Sequence, residues 1–262
     1  MTLLISLRQT PVGAEMKPMA IDLFCGLGGW TEGLLAEGYF VVGFDIERHA
    51  RGDHKYPAQL VLQDVLTLHG SQFKDAALIV ASPPCQEFSY MAMPWSKAKA
   101  KERDLLEGRD DPKRLTALFD ACFRIQREAC EAAGRHIPMV VENVRGAQKW
   151  VGRARWNFGS FYLWGDVPAL MPMTVKRGVK VGGFSWSDYG KPGYVPQAFN
   201  GRAAELTGIK QGGDWFNAEQ PSISRKCGSK SKARKAASAM IAKIPLELAR
   251  YIARTYKPAM AA

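Results

Sequence analysis

Residues 20–45 restrict the fold more than any other stretch. Ala20-Ile21-Asp22-Leu23-Phe24 is a short apolar strand that runs into a glycine-rich turn, Cys25-Gly26-Leu27-Gly28-Gly29-Trp30. A helix-like stretch from Thr31 to Glu37 follows, carrying Leu34, Leu35 and Ala36, and a second strand, Tyr39 to Phe44, ends at Asp45. Glycines let a backbone approach a ligand closely, and a helix amino end offers unpaired N–H groups. An acid about 20 positions after such glycines suits a pair of ribose hydroxyls. Asp64, in Gln63-Asp64-Val65, adds a carboxylate at the next strand-to-loop junction. A glycine loop alone can be a mere tight turn, but strand, glycine turn, helix, strand and acid in series point to a parallel α/β sheet.

Two later strands end in reactive side chains. Ala76-Ala77-Leu78-Ile79-Val80-Ala81 reads as a buried strand, stopped by Ser82-Pro83-Pro84. Cys85 therefore sits on a stiff turn at a strand's carboxyl end, where ligands of open α/β sheets bind. It is a candidate nucleophile, the alternative being a buried structural thiol. Ile137 to Val144 is a further apolar strand, and it carries Glu142 between Val141 and Val144. Partial desolvation there would raise the carboxyl pKa and let it donate a proton near neutrality. The alternative is a strand-end carboxylate in solvent.

Asp22 to Gly29 (DLFCGLGG), Pro83 to Gln86 (PPCQ) and Glu142 to Val144 (ENV), in this order, resemble the cytosine-specific, carbon-5 DNA methyltransferase family. The resemblance spans roughly residues 19–165, with a weaker echo near the carboxyl end. It implies an α/β fold: a Rossmann-like class I methyltransferase sheet with helices on both faces, plus a small irregular basic target-recognition lobe. It also implies S-adenosylmethionine as methyl donor, no metal, and double-stranded DNA as partner. In this chemistry the Cys85 thiolate adds to carbon 6 of a flipped cytosine, because carbon 5 alone is a poor nucleophile. Glu142 stabilises charge at ring nitrogen 3. Carbon 5 takes the methyl, a base removes the carbon-5 proton, and elimination releases the thiol.

The resemblance extends to further positions. Pro84, Gln86 and Asn143 would position the substrate. Phe24, Gly26, Leu27 and Gly29 would surround the methionine part of the cofactor, Asp45 the ribose, and Asp64 the adenine amino group. Ile46 stands where the family often has an aromatic residue over the adenine, so an aliphatic face replaces a ring. The family's Gln-x-Arg-x-Arg string is absent. Its nearest match is Arg153-Ala154-Arg155, ahead of Trp156-Asn157-Phe158 and the strand-like Ser160 to Trp164, with Arg155 preferred over Arg153 for the catalytic arginine. A surface pair facing phosphate or solvent is the alternative.

The organisation expected is a loose extension over 1–18, a catalytic and cofactor-binding domain over 19–165, a small target-recognition region over 166–240 and a carboxyl-terminal helix within 241–262. Tyr90 to Pro112 is polar, and in the family the segment after PCQ is a mobile loop that closes over DNA. Lys97, Lys99 and Lys101 could meet phosphates there or line a solvated helix face. A helix follows from about Pro112 to Ala133, with Leu115, Leu118, Phe119, Cys122, Phe123 and Ile125 on one side. Arg225, Lys226, Lys230, Lys232, Arg234 and Lys235 lie among small residues and suit phosphate contact; a basic linker is the alternative. Ile244 to Ala253 reads as an amphipathic helix, and Lys243 before it would meet the cofactor carboxylate or face solvent.

Composition agrees with this reading. The chain has 262 residues, enough for one sizeable core, and a formal net charge of +11, which favours a polyanionic partner. The five cysteines include no C-x-x-C pair, so neither a disulfide framework nor a zinc site is expected. With no secretory signal or membrane span, a cytoplasmic monomer is expected, in a prokaryotic cell or a phage-infected host. Other readings stay open: an RNA (tRNA) cytosine-5 methyltransferase of the same fold, or a catalytically silent DNA-binding module. Amino-group and nucleotide-level methylases fit less well, because of Cys85 and of the glycine turn respectively.

Overall fold

The computed structural model describes residues 17–49, 55–85, 88, 99–100, 103–105, 107–109, 111–171 and 243–259. Seven strands form one sheet: β1 (Met19–Leu23), β2 (Phe40–Asp45), β3 (Gln59–Leu62), β4 (Leu78–Ala81), β5 (Met139–Asn143), β6 (Trp156–Phe158) and β7 (Phe161–Gly165). Their spatial order is β3-β2-β1-β4-β5-β7-β6. The first five run parallel, and β7 is antiparallel to both of its neighbours. Central β4 and β5 are buried throughout and accordingly read as nearly unbroken apolar runs.

Helices cover both faces, as the α/β reading expects. On one face lies α2 (Pro112–Ala133). Asp111 caps it, its carboxylate accepting from the Lys113 N–H at 2.9 Å, and Gly134 ends it in the left-handed region at φ 63°. Phe119, Cys122 and Ile125 from α2 pack with Ile21, Leu23, Ile79 and Val141 from the strands, and Leu115 and Phe123 flank them. Glu128 of α2 accepts from the Gly70 N–H and pairs with Arg124, which donates to the Leu68 carbonyl; this fastens the segment before β4.

On the other face lie α1 (Gly29–Ala36) and α4 (Leu246–Tyr256). Trp30 and Leu34 of α1 form a second core with Leu248, Ala249, Ile252 and Ala253 of α4 and with Leu78, Val80 and Val140. Tyr39, expected inside β2, precedes it; its ring is buried and its hydroxyl donates to the Ala253 carbonyl at 2.9 Å. A four-residue α3 (Gln148–Val151) follows β5. The target-recognition region expected over 166–240 is described only as far as residue 171.

Candidate active site

The sheet reverses its winding between β1 and β4. From β1 the chain proceeds outward to β2 and β3, whereas β4 leads the other way to β5. The carboxyl ends of β1 and β4 thus open a crevice at the switch point, where α/β sheets hold ligands. The glycine turn leaves β1 on one side of it, and the segment carrying Cys85 leaves β4 on the other.

The turn is tightly specified. Phe24 has φ 57°, the one non-glycine residue with positive φ among those described, and Gly26 and Gly28 follow at 51° and 78°. A non-glycine residue held in this region marks a backbone shaped by its surroundings. The Cys25 N–H donates to the Phe44 carbonyl at 3.1 Å, and the Gly28 N–H to the Cys25 carbonyl at 2.8 Å. Gly29 is buried at the start of α1, and a Cβ on it would stand 2.5 Å from the Ile244 nitrogen. Its lack of a side chain therefore admits the segment leading into α4.

Beneath the turn lies an acidic network. Asp22 is fully buried, and one carboxylate oxygen accepts from the Thr31 hydroxyl at 2.6 Å. Tyr56 reaches the same hydroxyl at 2.6 Å. The second oxygen of Asp22 has no hydrogen-bond partner among the described residues. Burial pushes the Asp22 pKa up to about 7, against the lowering effect of its bonds to Thr31. Burial also pushes the Cys25 thiol well above its ordinary range, so Cys25 is an inert packing residue.

Asp45 ends β2 buried. One of its oxygens accepts from the Gly26 N–H at 2.9 Å, which ties the acid to the glycine turn. The other accepts from the Glu47 N–H and meets His49 Nε2, both at 3.3 Å. Burial raises its pKa, but the bonds from His49, Gly26 and Glu47 outweigh it, so Asp45 is held below the usual carboxylate value. Ile46 is 75% exposed directly after it, presenting an aliphatic face. Asp64, half-buried beyond β3, accepts from the Leu66 N–H at 2.9 Å. Gly26 and Leu27 are half-buried in the turn.

Cys85 is half-buried, Pro83 buried and Pro84 exposed. Glu142 is 7% exposed and Asn143 1%. Ala81, the last residue of β4, pairs with Val141, so β5 carries Glu142 and Asn143 beyond the end of β4. The Asn143 amide then donates to the Pro83 carbonyl at 3.0 Å, while its own oxygen accepts from the Val144 N–H at 2.8 Å. The chain's thiol loop and its buried glutamate strand are thereby held side by side.

Arg153 and Arg155 are both exposed, ahead of edge strand β6. The Arg155 N–H donates to the Leu163 carbonyl at 2.9 Å, and Leu163 pairs with Glu142 across β7 and β5. The Arg155 guanidinium exerts its charge on Tyr256 of α4, whose hydroxyl meets the Asp166 carbonyl near the amino end of β5. The Lys243 ammonium pairs with Glu32 of α1 at 2.5 Å, and its stem lies beside Gly29 of the turn. Lys99 is exposed. Gln86, Lys97, Lys101, Arg225, Lys226, Lys230, Lys232, Arg234 and Lys235 lie outside the described residues. Sequence reasoning missed Thr31, Tyr56 and His49 as supports of the turn and of Asp45, because nothing local marks a contact made only after folding. Among the described residues no group of His, Cys, Asp and Glu could hold a metal, and no helix is long and apolar enough to cross a membrane.

Residues 19–147 match the family model of the C-5 cytosine-specific DNA methylases. The family resemblance read from the motifs is borne out over that segment, which carries the glycine turn, Asp45, Asp64, Cys85 and Glu142. No curated protein matches the chain. Among solved structures, it is similar to a protein described as a DNA modification methyltransferase encoded within an E. coli prophage, at 25% identity and TM-score 0.35, over 50% of this chain and 33% of that one. It is also similar to the S. pombe Dnmt2 methyltransferase, at 17% identity and TM-score 0.33, over 52% and 37% of the two chains. A third is the Entamoeba histolytica methyltransferase EhMeth, at 16% identity and TM-score 0.35, over 53% and 41%. The matched part of the chain thus spans between a third and about two fifths of those structures' length.

Proposed function

We propose that this chain is a DNA cytosine carbon-5 methyltransferase that uses S-adenosylmethionine and a covalent Cys85 adduct. The observation that carries the reading is the Asn143 amide on the Pro83 carbonyl at 3.0 Å, which fastens the Cys85 loop to the Glu142 strand beside the glycine turn. The residues present fit the cofactor. The left-handed turn leaves Gly26 and Leu27 half-buried beside Asp45, and Asp45 offers acceptor oxygens to a ribose diol. Asp64 would take the adenine amino group, Ile46 one face of the ring, and Phe24, Leu27 and Gly29 the side nearest the methionine part. When bound, the cofactor supplies an electrophilic methyl group on sulfonium.

The chain's own residues would do the rest. Cys85 gives its proton to solvent or a neighbouring base and attacks carbon 6, forming the S–C6 bond as the C5=C6 electrons move toward carbon 5. Glu142, nearly buried, hydrogen-bonds ring nitrogen 3 and stabilises the charge that develops. After methyl transfer to carbon 5, loss of the carbon-5 proton to a base restores the double bond. The S–C6 bond breaks and the thiolate is regenerated. Pro84, Gln86 and Asn143 position the base, and Arg155, or Arg153, is proposed as the cationic partner of cytosine. The basic residues at 225–235 would neutralise phosphates, with double-stranded DNA as substrate and a monomer as the working form.

Covalent trapping tests this reading. Duplex DNA containing 5-fluorocytosine, incubated with the protein and S-adenosylmethionine, should yield an adduct that needs both the cofactor and Cys85, because fluorine cannot leave as the proton does. Cys85→Ala should abolish it. An adduct on fluorinated RNA and none on DNA would make the chain an RNA methyltransferase. Cofactor binding with no adduct on either would point to a silent binding module.

A further inference from the structure

The Trp30 indole N–H donates to the Ser82 hydroxyl at 3.0 Å, across 52 residues of sequence. Trp30 is 2% exposed and is the second residue of α1, directly after the glycine turn. Ser82 is the first residue past β4 and opens the segment that reaches Cys85 three positions on. The bond therefore spans the switch point, from the element that begins at the cofactor turn to the one that carries the thiol.

Two neighbouring bonds show how little freedom this leaves. The Ser82 N–H donates to the Leu23 carbonyl at 3.1 Å, extending the pairing of β1 and β4 by one residue. The Pro83 carbonyl is held from the other side by Asn143. The backbone before Cys85 is thus fixed by β1 and by Asn143, while its side-chain link to α1 is the indole. Trp30 also packs in the core shared with Ile244, whose nitrogen lies against Gly29. An indole nitrogen is a donor only, so this link has one sense and one partner atom. A phenylalanine in its place would fill much of the same space and carry no donor.

We infer that Trp30 and Ser82 are a positioning pair that passes occupancy of the glycine turn to the Cys85 loop, so that the thiol is set for attack when cofactor is bound. The inference rests on the cofactor and nucleophile roles proposed above. Ligand in the turn bears on the first residues of α1, and with the Ser82 and Pro83 backbone anchored, the indole acts on the Cys85 segment through the Ser82 hydroxyl. Trp30 and Ser82 touch neither cofactor nor base in this scheme.

The test reads the thiol without needing nucleic acid. The rate at which iodoacetamide labels the Cys85 peptide is followed by mass spectrometry, with and without S-adenosylhomocysteine, and binding of the latter is measured by calorimetry. In the unaltered protein the ligand should change the labelling rate about fivefold, the lower end of ordinary coupling between sites. In Ser82→Ala and Trp30→Phe the ligand should still bind, yet leave the rate unchanged. Ser82→Thr, which keeps a hydroxyl, should restore the response. The partly exposed Ser82 makes its variants the decisive ones should Trp30→Phe fold poorly. Coupling that persists in Ser82→Ala, or ligand binding with no effect on the unaltered protein, would overturn the positioning role and leave the proposed activity standing. Failure of the unaltered protein to bind the ligand would bring down both. An unaltered protein that couples but traps no fluorinated substrate would bring down the activity alone.

Discussion

Gly33 of α1 and Ala249 of α4 lie so close that a Cβ on Gly33 would stand 2.3 Å from the Ala249 Cβ. No real pair of carbons sits at that distance, so the helices meet only because one of them lacks a side chain. Gly33→Ala should destabilise the protein by about 1–3 kcal/mol, the usual cost of overpacking. Thermal unfolding against Gly134→Ala, where the added carbon meets nothing within 4 Å, checks it. The comparison is informative because Gly134 has φ 63°, so that variant carries backbone strain and no packing clash.

Asp22 should give stability an unusual pH slope. Burial raises its pKa from 3.8 to about 7 in the folded chain. The folded state then holds a proton that the unfolded state has lost, so the contribution is fully present below pH 3.8 and disappears as pH rises through about 7. Asp22→Asn removes the titrating group. Melting temperatures of the two proteins, followed from pH 5 to pH 8, should show a shallower fall for the variant, whatever its absolute stability.

Glu37 acts with the opposite sign. Hydrogen bonds from Arg254 and Arg250 hold its carboxyl down at about 2, against an ordinary 4.5. That stabilisation is present above pH 4.5 and is lost as pH falls toward 2. Both arginines are substantially exposed, so Glu37→Gln should cost about 1 kcal/mol or less at pH 7. The loss should shrink in high salt, as denaturant titrations at two ionic strengths would show.

Asp45 is fixed before any ligand arrives, by the Gly26 and Glu47 N–H groups and by His49. Asp45→Ala removes all these bonds at once and should weaken S-adenosylmethionine binding by about tenfold or more, on the scale of charge-assisted hydrogen bonds. Calorimetry reads it directly, and an unchanged affinity would remove Asp45 from the cofactor site.

Glu142→Gln keeps the shape of the strand end and changes its charge. Transfer activity should fall by about a hundredfold or more, in the range for loss of a general acid, with the melting temperature within a few degrees of the parent. Methyl incorporation from radiolabelled cofactor, set beside the melting curve, separates a catalytic effect from a folding one.

Much of the architecture could be read in advance because it is local. The helix over 112–133 follows from its apolar side, from Asp111 before it and from Gly134 after it. The strands ending at Asp45, Ala81 and Asn143 announce themselves by apolar runs and by the residues that stop them. What was not legible lies in contacts made late. No pattern near Gly29 says that Ile244 will press on it, and nothing near Lys243 says that Glu32 will claim its charge. The antiparallel return of β7 between β5 and β6 is likewise a matter of sheet pairing, which the residues of Phe161–Gly165 do not encode alone. For the arginines, the Arg-x-Arg pattern ahead of an aromatic strand pointed to Arg153 and Arg155, but which side of the sheet they serve depends on the edge strand that follows them.

The closeness of Ile244 to Gly29 has a bearing on how the protein comes into being. Every residue proposed to hold the methyl donor precedes Asn143 in the chain, yet the wall behind their turn is supplied by a segment made about a hundred residues later, at Ile244. A ribosome that has released only β7 has finished the chemistry on paper while leaving α1 without its cover. Competence should therefore arrive in one step, once Ile244 and α4 have emerged. A chain cut before α4 could be repaired by supplying that helix as a separate peptide, which makes the α1–α4 seam a natural place to divide the protein into two halves that work only when they meet.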